Sequence, residues 1–226
     1  MSTDYRIERA RTIYQQAVYA GDTGPLTEAE RGLDAVEADV ALARGRLRHA
    51  RFQSEPAVED PAELPLFERA LALYQALGDT RGAAEASFWI GCLHQYIRRD
   101  DETAVPYLER AEQAGDPWTR SEALRHLGIS AHLAGRLDEA RERLEESSRL
   151  RREIGVLPGV AANMVGLAYI AAAQDRRGDA LATLDEAQAI AEEHGAHAVL
   201  RHIEEARARI QPGSSRPAAR RTRPGR

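Results

Sequence analysis

Residues Arg120 to Ala140 read RSEALRHLGISAHLAGRLDEA. Leu124, Leu127 and Ala131 recur at spacings of three and four, the period of one helix face. Gly135 then breaks the pattern, and Leu137 and Ala140 begin it again. The stretch predicts a helix, a tight turn and a second, antiparallel helix. Two such helices pack closely only where small residues stand at the approach of their backbones, and Gly128 and Ala140 supply them. Leu144, four residues beyond Ala140, fills the space beside them.

The same arrangement recurs on either side. Aliphatic-Gly pairs stand at Ile90-Gly91, Leu127-Gly128 and Val165-Gly166, with gaps of 37 residues (128 − 91) and 38 residues (166 − 128). Each is followed by a small residue, a leucine and a second small residue on one helix face. These are Ala104, Leu108 and Ala111; Ala140, Leu144 and Ser147; and Ala180, Leu184 and Ala187. A weaker earlier copy places Gly45 on the first helix, with Phe67 and Ala70 on the second. One hairpin cannot bury its apolar face alone, so repeated hairpins are expected to stack side by side.

Helix stops and starts support this reading. Gly21, Gly78, Gly115, Gly155 and Gly195 fall where helices should end, since glycine accepts the left-handed conformation there. Pro117 and Pro158 suit a first helical turn. Thr27 with Glu30 reads as a capping box. The expected helices run 4–20, 26–53, 61–78, 80–98, 101–114, 117–134, 136–154, 158–174, 177–194 and 196–210, with ends good to a few residues. The stretch QSEPAVEDP from Gln53 to Pro61 is the longest internal loop. No segment alternates as a strand does.

Bulk composition agrees. The chain has 226 residues, 43% hydrophobic and 30% charged, a globular balance. All 31 basic side chains are arginine, which reads as a coding bias towards GC-rich codons. Net charge is −5. The final stretch from Gln211 carries five arginines (Arg216, Arg220, Arg221, Arg223 and Arg226) and no acid, so the body before it carries −5 − 5 = −10. An acidic body lacks the basic face of a nucleic-acid-binding domain. The arginine-rich tail is expected to be disordered, with at most weak charge contact to nucleic acid. The single cysteine, Cys92, rules out an internal disulfide and reads as a small buried hydrophobe. No run is long and apolar enough for a spanning helix, and the start carries no apolar signal region, so a cytoplasmic location is expected.

The quoted stretch resembles the tetratricopeptide repeat (TPR), whose signature is W-x2-L-G-x2-Y, then A-x3-F, then P. Leu124, Leu127-Gly128, Ala131 and Ala140 carry the likeness. Ser87, Ile90-Gly91 and His94 follow it less fully; Ala162, Val165-Gly166 and Tyr169 follow it up to a turn two residues longer. The spacing exceeds the usual 34, and the signature Trp and closing Pro are missing. The resemblance covers about residues 35–195. It implies an all-α fold, a right-handed superhelix of antiparallel helical hairpins with about ten helices. Residues 1–25 form an N-terminal helix. The array occupies 26–195, in units near 35–78, 80–115, 117–155 and 158–195. A capping helix at 196–210 and the tail at 211–226 complete the chain.

The resemblance also implies a function. First helices of such arrays line a concave groove that binds another protein or peptide. Counting from each aliphatic-Gly pair places Phe88, Gln95, Arg125, Ile129, His132, Asn163 and Leu167 on that face, with Cys92, Ile170 and His49 in the same rows. Some relatives hold a peptide's terminal carboxylate with Lys, Asn and Arg, and Arg125 and Asn163 supply part of such a set. A second function in the same family is peptide sensing, in which a regulator changes shape on binding its ligand.

Catalytic and metal chemistry find no support. There is no phosphate-binding glycine loop, His-Glu-x-x-His motif or cysteine pair, and no nucleophile beside a base. His194, His197 and His202 straddle a helix end rather than converge. A non-enzymatic chain without cofactor or metal is therefore expected.

Overall fold

The computed structural model describes residues 4–54 and 58–211. The tail and part of the loop before Pro61 lie outside the described residues. The described residues contain ten α-helices, one π-helical turn and no strand. They are α1 (Tyr5–Ala20), α2 (Leu26–Ser54), α3 (Glu63–Leu77), α4 (Thr80–Cys92), α5 (Asp101–Ala114), α6 (Pro117–Leu133), α7 (Leu137–Glu153), α8 (Leu157–Ala173), α9 (Arg177–Glu193) and α10 (His197–Ile210). The π turn, Leu93–Ile97, continues α4. Two compact units are present, one ending at Ile154 and one beginning at Gly155.

In the first unit each helix packs on the next in sequence, from α1 to α7. The glycines of the first helices explain the hairpins. A Cβ added at Gly45 would stand 2.4 Å from the Phe67 ring; at Gly91, 2.7 Å from Leu108; at Gly128, 3.1 Å from Leu144. Each pair joins a first helix to its second helix, α2 to α3, α4 to α5 and α6 to α7. Phe67, Leu108 and Leu144 are almost wholly buried. The sequence spacing thus reports a repeated close approach, and the weak first copy obeys the same rule with a phenylalanine in place of leucine.

Helix starts are fixed locally. Asp79, Asp100 and Asp116 each accept a backbone N–H three residues on, at 2.9, 3.0 and 2.9 Å. These bonds satisfy donors that a helix start leaves open. Two details differ from expectation. Helix α2 begins at Leu26, so Thr27 lies inside the first turn and not at the cap. Gly115 ends α5 at φ −73, not in the left-handed region. It is needed for closeness instead, because a Cβ there would stand 2.5 Å from the Ala111 carbonyl and 2.8 Å from Thr119. Gly78, Gly155 and Gly195 do adopt positive φ.

The second unit holds the hairpin α8–α9 with α10 packed against both helices. Its core comprises Ala168, Ala180, Leu184 and Ala187, closed by Ile203, Ala206 and Ile210 of α10. The two residues expected to lengthen the turn after α8 lie in the helix. α8 runs seven residues past Gly166 (173 − 166) and α6 five past Gly128 (133 − 128), while both connections span three residues, 174–176 and 134–136.

Candidate functional site

In the first unit α2, α4 and α6 are the first helices of their hairpins, and α4 also touches α6. Their shared face carries a run of rings. Phe88 meets Trp89, Trp118 and His126 edge-on, with centroids 5.1, 6.1 and 5.5 Å apart. Trp89 meets His49 at 5.3 Å, and Phe52 meets Tyr96 at 6.4 Å. The Arg46 guanidinium lies 5.6 Å from the Trp89 ring and 3.2 Å from the Glu85 carboxylate. Edge-to-face geometry sets ring hydrogens against neighbouring π faces and holds each ring at a defined angle.

Phe88 is buried and forms the floor of this cluster. Trp89 and Trp118 are half-buried, and Tyr96 is 41% exposed. The Trp89 indole N–H is buried without a hydrogen-bond acceptor. His49, at the buried end, bonds the Glu63 carboxylate at 2.8 Å.

Gln95 was placed by sequence on the open face; the structure turns it inward. Its amide nitrogen donates to the Asp101 carboxylate at 3.1 Å, the His126 carbonyl at 3.0 Å and the Ser130 hydroxyl at 2.7 Å. These acceptors fix the amide, so its oxygen faces His126 Nδ1, which must carry the proton. His126 Nε2 is then a lone-pair acceptor 3.7 Å from the Cys92 sulfur. The chain Cys92–His126–Gln95 has the order of a nucleophile, a base and an orienting group. Its electrostatics oppose that use. Burial pushes the Cys92 thiol well up, with Glu122 and Glu63 adding to the effect. Burial, with Arg125 and Arg151 nearby, pulls His126 down to about 3. Thiol and imidazole are both held neutral, which makes this a structural bond.

The π turn explains the inward turn of Gln95. Gly91 precedes Ala104 by 13 residues and Gly128 precedes Ala140 by 12 (104 − 91; 140 − 128). The additional residue is absorbed in the π turn, which advances the helix face by one position. Tyr96 therefore occupies the open position that counting gave to Gln95.

The other expected residues divide between the units. On α6, Arg125, Ile129 and His132 are half-buried. Burial and the like charge of Arg151 lower Arg125 to about 10, against the opposing pull of Glu122. Arg151 pairs with Glu122 at 2.6 Å. In the second unit, Asn163 and Ile170 are buried and Leu167 is half-buried. Arg125 and Asn163 thus belong to different units. Arg46, Trp89, Tyr96 and His126 are the face residues that position counting missed. A register shifted by one after Gly91 would have found Tyr96.

Residues 119–193 match the tetratricopeptide repeat family. Over these residues the chain carries tetratricopeptide repeats. The match covers α6 to α9; the hairpins α2–α3 and α4–α5, outside it, share with α6–α7 the packing of glycine against a bulky residue described above. No curated protein matches the chain. TPR arrays generally serve as protein-interaction scaffolds. Among the described residues no helix is long and apolar enough to cross a membrane. No group of three or more His, Cys, Asp or Glu is placed among them to hold a metal ion.

Proposed function

We propose that this TPR chain is a non-catalytic scaffold that binds another protein or a peptide on the face shared by α2, α4 and α6. The observation that carries the reading is the aromatic row on that face. Trp89 and Tyr96 offer apolar area that is already ordered by ring contacts, so binding would cost little side-chain entropy. Aromatic anchors of this kind dominate protein interfaces. The partly exposed Arg46–Glu85 pair adds direction to a backbone laid across it. On α6, Ile129 extends the apolar floor and Arg125 and His132 border it. Phe88 and Gln95 support this surface from below. In the second unit, Leu167 of α8 is a separate, partly exposed candidate for contact.

The test uses peptides selected by display against the full chain, with affinities measured by calorimetry. Tyr96→Ala combined with Ile129→Ser is expected to weaken the selected peptides at least ~10-fold, because it removes one aromatic anchor and one apolar contact. Helicity should stay unchanged. Selected peptides that bind this double variant as tightly as the parent would refute the assignment of the face.

A further inference from the structure

The long helix α2 carries an apolar stripe that the described residues of its own chain cover only in part. Leu26, Leu33, Val40 and Leu47 follow one another at intervals of seven and are 38, 39, 41 and 65% exposed. Three residues after each stand Ala29, Val36, Ala43 and Ala50. Together these are the two apolar positions of a heptad, sustained for four heptads, which is the pattern of a helix that pairs lengthwise with another. The inner face of α2 is already used: Ala38, Ala41 and Leu42 pack with Phe67 and Ala70 of α3.

Helix α1 shields only the first half of this stripe. Its start is tied to Asp39 by Arg6 at 3.0 Å, and its end enters the connection to Leu26. Ala29 is buried and Val36 half-buried on that half, whereas Ala43 and Ala50 are exposed beyond it. α1 has an exposed apolar row of its own, Ile7, Tyr14 and Val18.

Charge selects the occupant. The row flanking the stripe on one side is Glu30, Glu37, Arg44 and Arg51, acidic in the first half and basic in the second. All four are exposed. Glu37 meets Arg69 at 2.8 Å on the half-exposed surface; among the described residues no ion pair engages Glu30, Arg44 or Arg51. Such a row complements itself when a second copy is laid antiparallel. Glu30 then faces Arg51 of the second copy and Glu37 faces its Arg44, and symmetry repeats both contacts. One register serves the apolar positions as well, setting Leu33 beside Ala50, Val40 beside Ala43 and Val36 beside Leu47. A parallel copy would instead need the opposite flank, where Asp39 is held by Arg6 and Tyr74 and Arg46 by Glu85.

We infer that α2 is a dimerisation helix: two copies of this chain associate through an antiparallel α2–α2 pair, with Val40 and Ala43 near the two-fold axis. The contact is isologous, each stripe meeting its own copy, as a two-fold interface requires. The Ile7, Tyr14 and Val18 row of each α1 lies at the half of the seam that the other chain's α1 leaves open. The stripe shares no residue with the face of α2, α4 and α6 assigned above to partner binding.

Sedimentation equilibrium of the full chain tests the inference. The chain mass is 24.9 kDa, and the wild type should sediment at twice that value. Val40→Asp with Leu47→Asp places carboxylates in the seam and should give monomer. Arg44→Glu with Arg51→Glu makes the flanking row wholly acidic and should weaken association at least ~10-fold by like-charge repulsion. Adding Glu30→Arg and Glu37→Arg to that variant reverses the row and should restore the dimer. All six positions are surface positions, and unchanged circular dichroism verifies that each variant is folded. A wild type that stays monomeric up to about 100 µM overturns the inference, including the case in which a different protein covers the stripe. So does a dimer that survives the apolar substitutions, or a reversed row that fails to restore association.

Discussion

Alanine at each of the three hairpin glycines separates two opposing effects whose balance the structure fixes. Replacing a helical glycine by alanine favours the helix by about 0.5–1 kcal/mol. The added methyl also needs room. At Gly45 it would lie 2.4, 2.7 and 2.9 Å from three atoms of the Phe67 ring, which is fully buried and stacked on Trp89. The ring cannot yield without moving α3, and overpacking of this kind costs about 1–3 kcal/mol or more. At Gly91 the methyl meets two atoms of Leu108 at 2.7 and 2.8 Å, in a side chain with more rotamer freedom. At Gly128 the closest approach is 3.1 Å, to Leu144, so a shift of a few tenths of an ångström suffices. The expected order of destabilisation is Gly45→Ala above Gly91→Ala above Gly128→Ala. The first should lose about 2 kcal/mol net and the last should stay within about 1 kcal/mol of wild type. Urea unfolding followed by tryptophan fluorescence reads this directly, because both tryptophans, Trp89 and Trp118, lie in the first unit. Leu108→Ala should recover part of the Gly91→Ala loss in a double-mutant cycle. Stabilisation of Gly45→Ala by the full propensity gain would refute close approach as the reason for these glycines.

Acid should weaken the first unit through His126. Its folded value of about 3 lies below the ordinary 6.5, so the unfolded chain binds the extra proton first. The contribution is complete above about pH 6.5 and is lost as pH falls towards 3, amounting to roughly 2 kcal/mol between pH 6.5 and 5. Urea titrations at those two pH values should show this loss, and His126→Phe should reduce it. Gln95→Leu should cost about 2–3 kcal/mol in the same assay, because the His126 N–H loses its acceptor inside the protein and the Asp101 carboxylate keeps only the Ser130 hydroxyl.

The helical architecture was legible because its cause is local and periodic. Spacing of three and four, prolines at helix starts and glycines between helices located ten helices. The pairs Gly91 with Leu108 and Gly128 with Leu144 were legible as a repeat because the same backbone contact was built more than once. Even the first copy, with Phe67 for leucine, kept its glycine.

The surface proposed to face a partner was only partly legible. Arg125, Ile129 and His132 remain on α6 where counting set them. On α4, counting by repeat position assumes an unbroken α-helix, and one residue absorbed in the π turn sends Gln95 inward and brings Tyr96 out. The ring row is likewise a product of packing, since Phe52 of α2 meets Tyr96, and Trp118 of α6 meets Phe88, only when α2, α4 and α6 stand side by side.

By itself, then, the amino-acid order determined which segments are helical and which backbones approach, since both follow from residues a few positions apart. Tertiary structure decided which side chains are spent holding helices together and which are left exposed. That depends on what each helix packs against, as Gln95 and the partly covered stripe of α2 both demonstrate.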